Sequence, residues 1–547
     1  MTASHRNRFD VAVIGGGHNG LVCAAYLAAA GLSVCVLERR TRIGGAAVTE
    51  EFAPGFRNST ASYTVSLLQQ RVIDDLGLAA EGLRIVPRPL ANFVPSEAGR
   101  GLKLPRQTAA AQAAIAEHSR RDAERYPAFA EELSAVASRF RGLMLEPPVD
   151  PTGGWREHLR AARRLPRFAS LGGRGIASLW DLVTGSAGAW LDRRFESDCL
   201  KGALGFDSIV GHFASPYHAG SGYLLLHHAL GGVDALGGAW GHAIGGMGAI
   251  TEALAAAAAR RGVVILRERD VQRITEAGGG YDVCSADGSV VHAGAVAAGV
   301  HPKILFERLT DPERLPADFR ERIRHWRSES ASFRANVALA ELPDFSCLPG
   351  TAPAEHHAAG ILITPGLDYL DRAWLDARRD GYSAAPVVEL LIPSTIDDSL
   401  APAGAHVASL FCQHFRRRLP DGADPASAER EWTDDDRRRA LDRVIDTVSR
   451  YAPNFRRSIV AAEALSPKDL EDRFGLIGGD IFHGALDLDQ LYWTRPAWGH
   501  AQYRTPLPHV YLCASGAHPG GGVSGAPGYN AAQVMLRDLA RRGRARR

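Results

Sequence analysis

The sequence predicts an α/β fold in which helices wrap a parallel sheet and a mixed α+β unit is attached to that sheet. Three glycine-rich segments carry this prediction, because each of them leads into a helical pattern. They are residues 15–20, 245–248 and 516–525. Since these segments are spread over 547 residues, we expect the elements around them to assemble into one discontinuous nucleotide-binding domain of the Rossmann type.

The first glycine segment contains the elements needed to bind a dinucleotide. An apolar strand ends in the glycine turn, a helix follows, and the next apolar strand ends in Glu38. Gly15 permits the tight turn, Gly17 lets the main chain approach a pyrophosphate, and Gly20 lets helix and strand pack closely. The helix N-terminus offers free N–H groups to phosphates, and Glu38 can accept hydrogen bonds from a ribose. The segment therefore predicts an adenine dinucleotide rather than a plain turn.

The residues directly after Glu38 predict which dinucleotide it is. Arg42, Gly44 and Gly45 follow the order of the Arg-x-Gly-Gly motif of FAD-binding oxidoreductases. Paired glycines after an arginine also form surface turns, but coupled to the ribose-binding acid they indicate FAD. The candidate FAD-binding residues are Gly15, Gly17, His18, Asn19, Gly20, Glu38, Arg39, Arg42, Gly44, Gly45, Ala46, Val271, Gly516, Gly525 and Ala526.

The other two glycine segments return the chain to the nucleotide-binding sheet. The predicted elements are a helix over 249–261, strands over 263–266, 271–274, 281–285, 289–292, 296–298 and 510–513, and a helix over 528–539. A glycine loop before that last helix suits a reduced flavin, because negative charge develops near its N1 and C2 carbonyl. A second strand, G-x-G-x-x-G and helix unit is not evident, so we expect electrons to come from the substrate and not from NAD(P)H.

The remaining chain is assigned to substrate binding. Its pattern is largely helical before residue 240, including a helix over 131–144, and mixed afterwards, with a helix capped by Thr433. The predicted FAD-binding domain is 1–60, 241–305 and 471–547, and the predicted substrate-binding domain, with its helical part, is 61–240 and 306–470.

The amino-acid composition indicates which classes of partner and which cellular compartment to expect. A net charge of +2 gives no sign of a nucleic-acid partner. The seven cysteines form neither a redox pair nor a zinc-ligand pattern, so no metal is expected and the compartment is predicted to be the reducing cytoplasm. The arginine-rich stretch over 156–167 has two interpretations, a solvated helix face or a face for peripheral membrane contact. The sequence does not decide the oligomeric state.

Several segments together resemble the phytoene desaturase-like flavoproteins. The resemblance is greatest to the branch of the CrtO-type carotenoid ketolases and the pyridine nucleotide-disulfide oxidoreductase domain-containing protein 2. One position departs from it, since Tyr529 stands where relatives commonly have arginine. The matching segments are 15–22, 43–51, 213–217, 225–228, 245–248, 481–484, 488–491 and 516–522.

This resemblance implies an amine oxidase-like FAD fold and an activity. The expected reaction is dehydrogenation, or desaturation, of an apolar or amphipathic small molecule, with hydride passing to flavin N5 and then to oxygen, a quinone or another acceptor. The alternatives are amine oxidation, which commonly uses a lysine near N5, carotenoid ketolation or isomerisation, and a flavin-bearing regulatory protein. Lys303 is the lysine that the sequence places best for amine oxidation.

Four residues are the catalytic candidates, namely His518, His483, Tyr492 and Lys303. His518 lies in the C-terminal glycine loop, where it either meets the reacting atoms or braces the loop through a main-chain hydrogen bond. His483 and Tyr492, with Trp493, either line the substrate face or belong to the core. A second polar and aromatic group consists of His212, Tyr217, His227 and His228.

Overall fold

The computed structural model describes residues 7–232, 240–422 and 428–545, the last four of these by their main chain. Parts of the predicted domain ranges, namely 1–6, 233–239, 423–427 and 546–547, lie outside the described residues.

The strands are β1 (Arg8–Ile14), β2 (Val34–Leu37), β3 (Thr49–Ala53), β4 (Phe56–Ser59), β5 (Ile85–Pro87), β6 (Leu90–Val94), β7 (Leu102–Pro105), β8 (Gly241–Ala243), β9 (Val264–Leu266), β10 (Val271–Ala277), β11 (Gly280–Ser285), β12 (Val290–Ala298), β13 (Ser332–Leu339), β14 (Gly360–Ile363), β15 (Tyr382–Leu391), β16 (His406–Phe415), β17 (Leu419–Pro420), β18 (Glu429–Arg430), β19 (Ile459–Leu465) and β20 (Val510–Leu512).

The α-helices are α1 (His18–Ala29), α2 (Gln70–Leu76), α3 (Thr108–Ala116), α4 (Arg120–Met144), α5 (Trp155–Ala169), α6 (Gly172–Thr184), α7 (Ala187–Asp192), α8 (Asp198–Phe206), α9 (Ser221–Ala229), α10 (Gly248–Arg260), α11 (Ala317–Arg324), α12 (Leu367–Asp380), α13 (Asp434–Ser449), α14 (Phe455–Ser458), α15 (Pro467–Phe474) and α16 (Ala526–Ala545).

The first sheet is the nucleotide-binding sheet, and it gathers strands from three distant parts of the chain. Its order is β10, β11, β12, β1, β2 and β9, with β20 paired to the end of β12. The pairs of β1 with β2 and β12, of β2 with β9, and of β12 with β20 are parallel. The apolar residues of β1 and β2 are buried, as expected of strands covered on both faces. The predicted α/β fold is confirmed.

Several predicted boundaries were wrong for identifiable reasons. The strands predicted over 289–292 and 296–298 are one strand, β12, because Gly294 does not interrupt its pairing. Helix α4 begins at Arg120 and not at residue 131, since Ser119 caps it by accepting from the Asp122 N–H. Helix α16 extends past both ends of the predicted 528–539. Strands β5, β6 and β7 interrupt the segment that was predicted to be largely helical.

The second sheet is built from the segments assigned to substrate binding. Its order is β19, β13, β16, β15, β14, β6 and β7, and its pairs are antiparallel except for β14 with β6. Every residue of β13 is buried, so both faces of this strand are covered. Helix α13 packs nearby, and its predicted cap is confirmed because Thr433 and Asp436 form a reciprocal capping box.

The first and last described helices of the nucleotide-binding unit are in close contact. A Cβ built on Gly528 of α16 would lie 2.1 Å from the main-chain oxygen of Asn19 in α1. A residue with a side chain at position 528 would therefore force the two helices apart. Over the described ranges, 7–232, 240–422 and 428–545, no helix is long and apolar enough to cross a membrane.

Candidate functional site

A cavity of about 420 Å³ opens where β1 and β2 end. This is the edge at which doubly wound sheets bind nucleotides. One end of the cavity surrounds Glu38, with Arg39, Arg40, Arg269, Asp270, Val271 and Gln272. The other end is lined by Tyr63, Thr64, Ser66, Leu67, Val210, His228, Trp240, Phe411, Ile481, Phe482 and His483. The lining also includes Gly17, His18, Asn19, Ser515, Gly522 and Val523, which belong to the first and last glycine segments and the residues next to them.

The glycines of the first turn do three different jobs. Gly15 has φ +93°, a conformation that side chains disfavour. A Cβ on Gly20 would lie 2.2 Å from the Gly15 oxygen, so only glycine lets α1 approach the turn. A Cβ on Gly17 would meet no atom within 4 Å, because this residue faces the cavity. The structure thus leaves open space at the position where the sequence predicts a pyrophosphate.

Glu38 closes the turn as well as facing the cavity. Its carboxylate accepts hydrogen bonds from the Gly16 N–H and the Arg40 N–H, both at 2.8 Å. Each bond uses one carboxylate oxygen, and a carboxylate oxygen can accept more than one hydrogen bond. The acid is therefore fixed in place with acceptor capacity left for ribose hydroxyls.

Other predicted FAD-binding residues support the cavity without lining it. Arg42 donates to the Thr49 oxygen at 3.5 Å. Gly44 donates its N–H to the Gly16 oxygen at 2.9 Å, and its Cβ would lie 2.7 Å from the Ala47 oxygen. Gly516 packs against Pro302, where a Cβ would lie 2.3 Å from a ring carbon. Ala526 is the first residue of α16 and Gly525 directly precedes it, while Gly45 and Ala46 do line the cavity.

Buried polar atoms without partners supply an independent test for FAD. His18 Nε2 and Asn19 Oδ1 both lie at the cavity, are buried, and form no hydrogen bond. Burial lowers the pKa of His18 to about 4, so its ring is neutral near pH 7. A buried polar atom without a partner is costly, so these two atoms, on residues that line the cavity, are placed where a bound ligand could satisfy them after a small side-chain movement. The cradle therefore fits FAD, which supplies hydride-accepting chemistry when bound.

Of the two roles predicted for His518, the structure shows the one in which its ring braces the loop through a main-chain hydrogen bond. Its Nε2 donates to the Leu143 oxygen at 2.9 Å, and burial lowers its pKa to about 4. The Tyr492 ring packs edge-on against it at 5.1 Å, while the Tyr492 hydroxyl is bound by Arg164. Neither His518 nor Tyr492 is among the cavity-lining residues. Both residues therefore stabilise the C-terminal glycine loop without contacting the cavity.

His483 is the catalytic candidate that reaches the cavity. Its φ is +58° and its Nδ1 is buried without a partner. The ring centroid of His301, another lining residue, lies 5.4 Å away. His301 accepts the Lys303 N–H at Nδ1, so its Nε2 carries the proton and donates to Ser328 Oγ at 2.8 Å. Lys303 does not line the cavity, and its Nζ donates to the Arg324 oxygen.

The second predicted group is dispersed. His228 lines the cavity, and burial lowers its pKa to about 4. His227 is buried beside it but does not line the cavity. The remaining members lie elsewhere, since His212 Nε2 is 3.2 Å from Asp487 and the Tyr217 hydroxyl donates to Asp192. Trp493, which the sequence grouped with His483 and Tyr492, is 43% exposed and does not line the cavity. Tyr529 packs against the Tyr26 ring with the Arg71 guanidinium 5.3 Å above it.

Sequence reasoning missed two buried arrangements around the cavity. Tyr63 donates its hydroxyl to Glu389 at 2.5 Å, and the Arg334 guanidinium lies 4.5 Å from the Tyr63 ring centroid. Arg495 is fully buried and donates to carbonyls of two cavity-lining loops. Arg334 and Glu389 are isolated polar residues within buried strands, which was the available signal. Nothing local marked Arg495.

Fold and site together define a FAD-dependent oxidoreductase. Its nucleotide-binding sheet, glycine turn, cavity-lining acid and unpartnered polar atoms are those expected of a flavoprotein. The chain belongs to the flavin containing amine oxidoreductase family, whose model matches residues 20–333. The phytoene desaturase-like resemblance is confirmed by the relatives.

Full-length relatives extend this assignment. The pyridine nucleotide-disulfide oxidoreductase domain-containing protein 2 of Mus musculus is 41% identical, covering 97% of this chain and 94% of its own. A lycopene-forming phytoene desaturase of Pantoea ananas is 25% identical over 96% of this chain and 99% of its own. A limonene dehydrogenase subunit of Castellaniella defragrans is 24% identical, over 97% of this chain and 95% of its own. Putrescine oxidase shares the fold, with a TM-score of 0.58 and 16% identity over 97% of this chain and 99% of its own.

Proposed function

We propose that this enzyme dehydrogenates an uncharged apolar or amphipathic small molecule. The observation that carries the proposal is the lining of the cavity end away from Glu38, where Tyr63, Leu67, Val210, Trp240 and Phe411 supply apolar surface. Both histidines at that end are neutral near pH 7, since burial lowers the pKa of His228 to about 4 and that of His483 to about 3. A wall of apolar side chains and neutral histidines favours an apolar reactant.

The reaction we propose is loss of a hydride from a substrate carbon to FAD and of a proton to solvent. The electrons then pass to oxygen, a quinone or another acceptor. The residues supply placement and exclusion of water, which are the main requirements of such a step. The names of two relatives, a limonene dehydrogenase component and a lycopene-forming phytoene desaturase, support an apolar substrate class.

Anaerobic mixing of the FAD-loaded enzyme with panels of terpenes and polyenes, lipid-like alcohols, amines and NAD(P)H tests this proposal. We expect bleaching of the flavin absorbance by a member of one of the first two panels. A Phe411→Leu variant should retain FAD and bleach more slowly, because Phe411 lines the cavity against the Tyr63 ring and is not part of the glycine turn. Bleaching by NAD(P)H alone would contradict the proposal.

Amine oxidation is the second candidate, and the family description favours it. The aromatic surface of Tyr63, Phe411 and Trp240 would also suit an amine. The lysine expected of such an oxidase has no counterpart in Lys303, whose ammonium is bound to the Arg324 oxygen. We therefore expect a Lys303→Met variant to bleach with amines at the wild-type rate, if amines reduce the enzyme at all.

We further propose a peripheral membrane location on the cytoplasmic side, through a face defined by α5 and α6. Helix α5 has no buried residue, and Trp155, Leu165 and Trp180 are 70%, 67% and 69% exposed. Arg163 and Arg174 are exposed on the same two helices, and the Arg156 guanidinium lies 5.5 Å from the Trp155 ring centroid. Exposed tryptophans flanked by arginines suit an anionic lipid surface.

Co-sedimentation with vesicles tests this location. Wild-type protein should bind vesicles of phosphatidylglycerol and phosphatidylcholine, and bind pure phosphatidylcholine more weakly. A Trp155→Ser/Trp180→Ser variant should lose most of this binding without a change in melting temperature. Leu375→Ser is the matched control, because Leu375 is 50% exposed on a different helix. Equal binding by all three proteins would refute the membrane face.

A further inference from the structure

Arg495 is a buried cation whose hydrogen bonds end on main-chain oxygens. Its Nε and Nη2 donate to the Ser515 oxygen at 3.1 and 2.8 Å, and Nη2 also donates to Phe482. The remaining bonds go to the oxygens of Gly484, Ala485 and Gln490. Buried arginines are normally paired with a carboxylate. Burial lowers the pKa of Arg495 to about 10, which leaves it charged at neutral pH.

The carbonyls that Arg495 binds belong to the walls of the cavity. Phe482 and Ser515 both line it, on two separate loops. The charge also acts on two histidines of the cavity wall, His301 and His483, and on His518 outside the wall, because Arg495 helps to lower the pKa of each, in every case after the larger effect of burial. A fixed positive charge therefore lies against the main chain of both cavity-lining loops.

Asp480 is the negative group of the same loop. It is 1% exposed, and its carboxylate accepts from the Phe482 N–H at 2.7 Å and the Gly484 N–H at 3.0 Å. Asp480 thus binds the N–H groups of two residues whose oxygens Arg495 binds. Burial raises the pKa of Asp480 to about 6, so it is ionised at pH 8. Its field at the cavity opposes that of Arg495.

We propose that Arg495 is a remote charge that stabilises the reduced state of the bound cofactor, and that Asp480 opposes it. The substrate carbon gives up one proton and two electrons as a hydride, and a second proton leaves to solvent. One negative charge is thereby added to the neutral isoalloxazine in a region of low dielectric. A preorganised cation stabilises such a charge without reorganisation. This role requires FAD in the cavity and is independent of the substrate class.

The test is the midpoint potential of bound FAD at pH 8, measured with a reference dye in three variants. Arg495→Gln should lower the potential by about 30 mV or more, which for two electrons is a tenfold loss in the reduction equilibrium. Arg495→Lys keeps the charge and should stay close to wild type. Asp480→Asn should raise the potential, because it removes the opposing charge.

The opposite signs distinguish electrostatics from damage to the loops. If Arg495 only supports structure, Gln and Lys will shift the potential alike, and Asp480→Asn will shift it in the same direction or leave it unchanged. Either pattern would overturn the proposal. If Arg495→Gln fails to retain FAD, Asp480→Asn decides alone, a rise supporting the proposal and no rise refuting it. Sulfite affinity, which follows the potential, provides a second readout independent of turnover and of substrate identity.

Discussion

The two ends of the cavity are built by different parts of the polypeptide. Around the glycine turn, main-chain atoms and the absence of side chains form the wall, as at Gly17 and Gly20. At the far end, side chains from distant segments form it, as where the Tyr63 ring stacks 5.1 Å from that of Phe411. The difference indicates that the end at the glycine turn tolerates few residue types, while the shape of the far end is set by its side chains.

The largest expected effect is at Gly20. Gly20→Val would place its Cβ 2.2 Å from the Gly15 oxygen, at a cost of ~3 kcal/mol or more from overpacking. We expect little folded protein and no retained FAD. Gly17→Ala is the matched control, because its Cβ meets open space, so it should melt like wild type while holding FAD less tightly. Equal FAD retention by Gly17→Ala and wild type would contradict the assignment of this space to the pyrophosphate. Thermal melting and flavin content measure both effects.

Acid should weaken the far end, where neutral histidines are buried. The pKa of His228 falls from 6.5 in the unfolded chain to about 4 in the fold. The unfolded state therefore binds more protons, and stability present above pH 6.5 is lost as the pH falls toward 4, by about 3 kcal/mol for this residue. His228→Gln should show a shallower fall in melting temperature between pH 7 and 5. If the melting temperature of the variant fell as steeply as that of wild type, His228 would be excluded as a source of the stability lost in acid.

Glu38→Ala should affect the cofactor end alone. The variant loses two charge-assisted hydrogen bonds to Gly16 and Arg40 and the acceptors for the ribose. We expect FAD affinity to drop by about 2 kcal/mol, or ~30-fold. Glu38→Gln retains one acceptor and should lose less. The check is titration of the apoprotein with FAD. Unchanged affinity in Glu38→Ala would show that Glu38 does not bind the ribose.

The smallest effect is expected from Tyr63→Phe at the far end. The change keeps the ring against Phe411 and removes the hydrogen bond to the buried Glu389. We expect a loss of about 1 kcal/mol in the free energy of unfolding, with FAD content unchanged. Denaturant melts of the loaded enzyme measure it. Loss of FAD in this variant would mean that a change at the far end of the cavity also alters cofactor binding at the glycine turn.

The sequence allowed the cofactor end to be predicted because its signals are local. Gly15, Gly20 and Glu38 are close in the chain, and their roles follow from turn geometry and helix packing. The far end depends on contacts between distant residues, such as Tyr63 with Glu389, which have no fixed spacing. His518 shows the limit most clearly, since its loop was predicted but its ring points to the Leu143 oxygen.

The contact between Gly528 and Asn19 has a consequence for how the enzyme acquires its cofactor. At roughly 5–20 residues per second, synthesis of the segment between them takes roughly half a minute to two minutes. During that interval α1 has left the ribosome while α16, which packs against it, does not yet exist. FAD is therefore expected to bind late, and the glycine turn must stay protected from aggregation or misassembly until the last helix arrives.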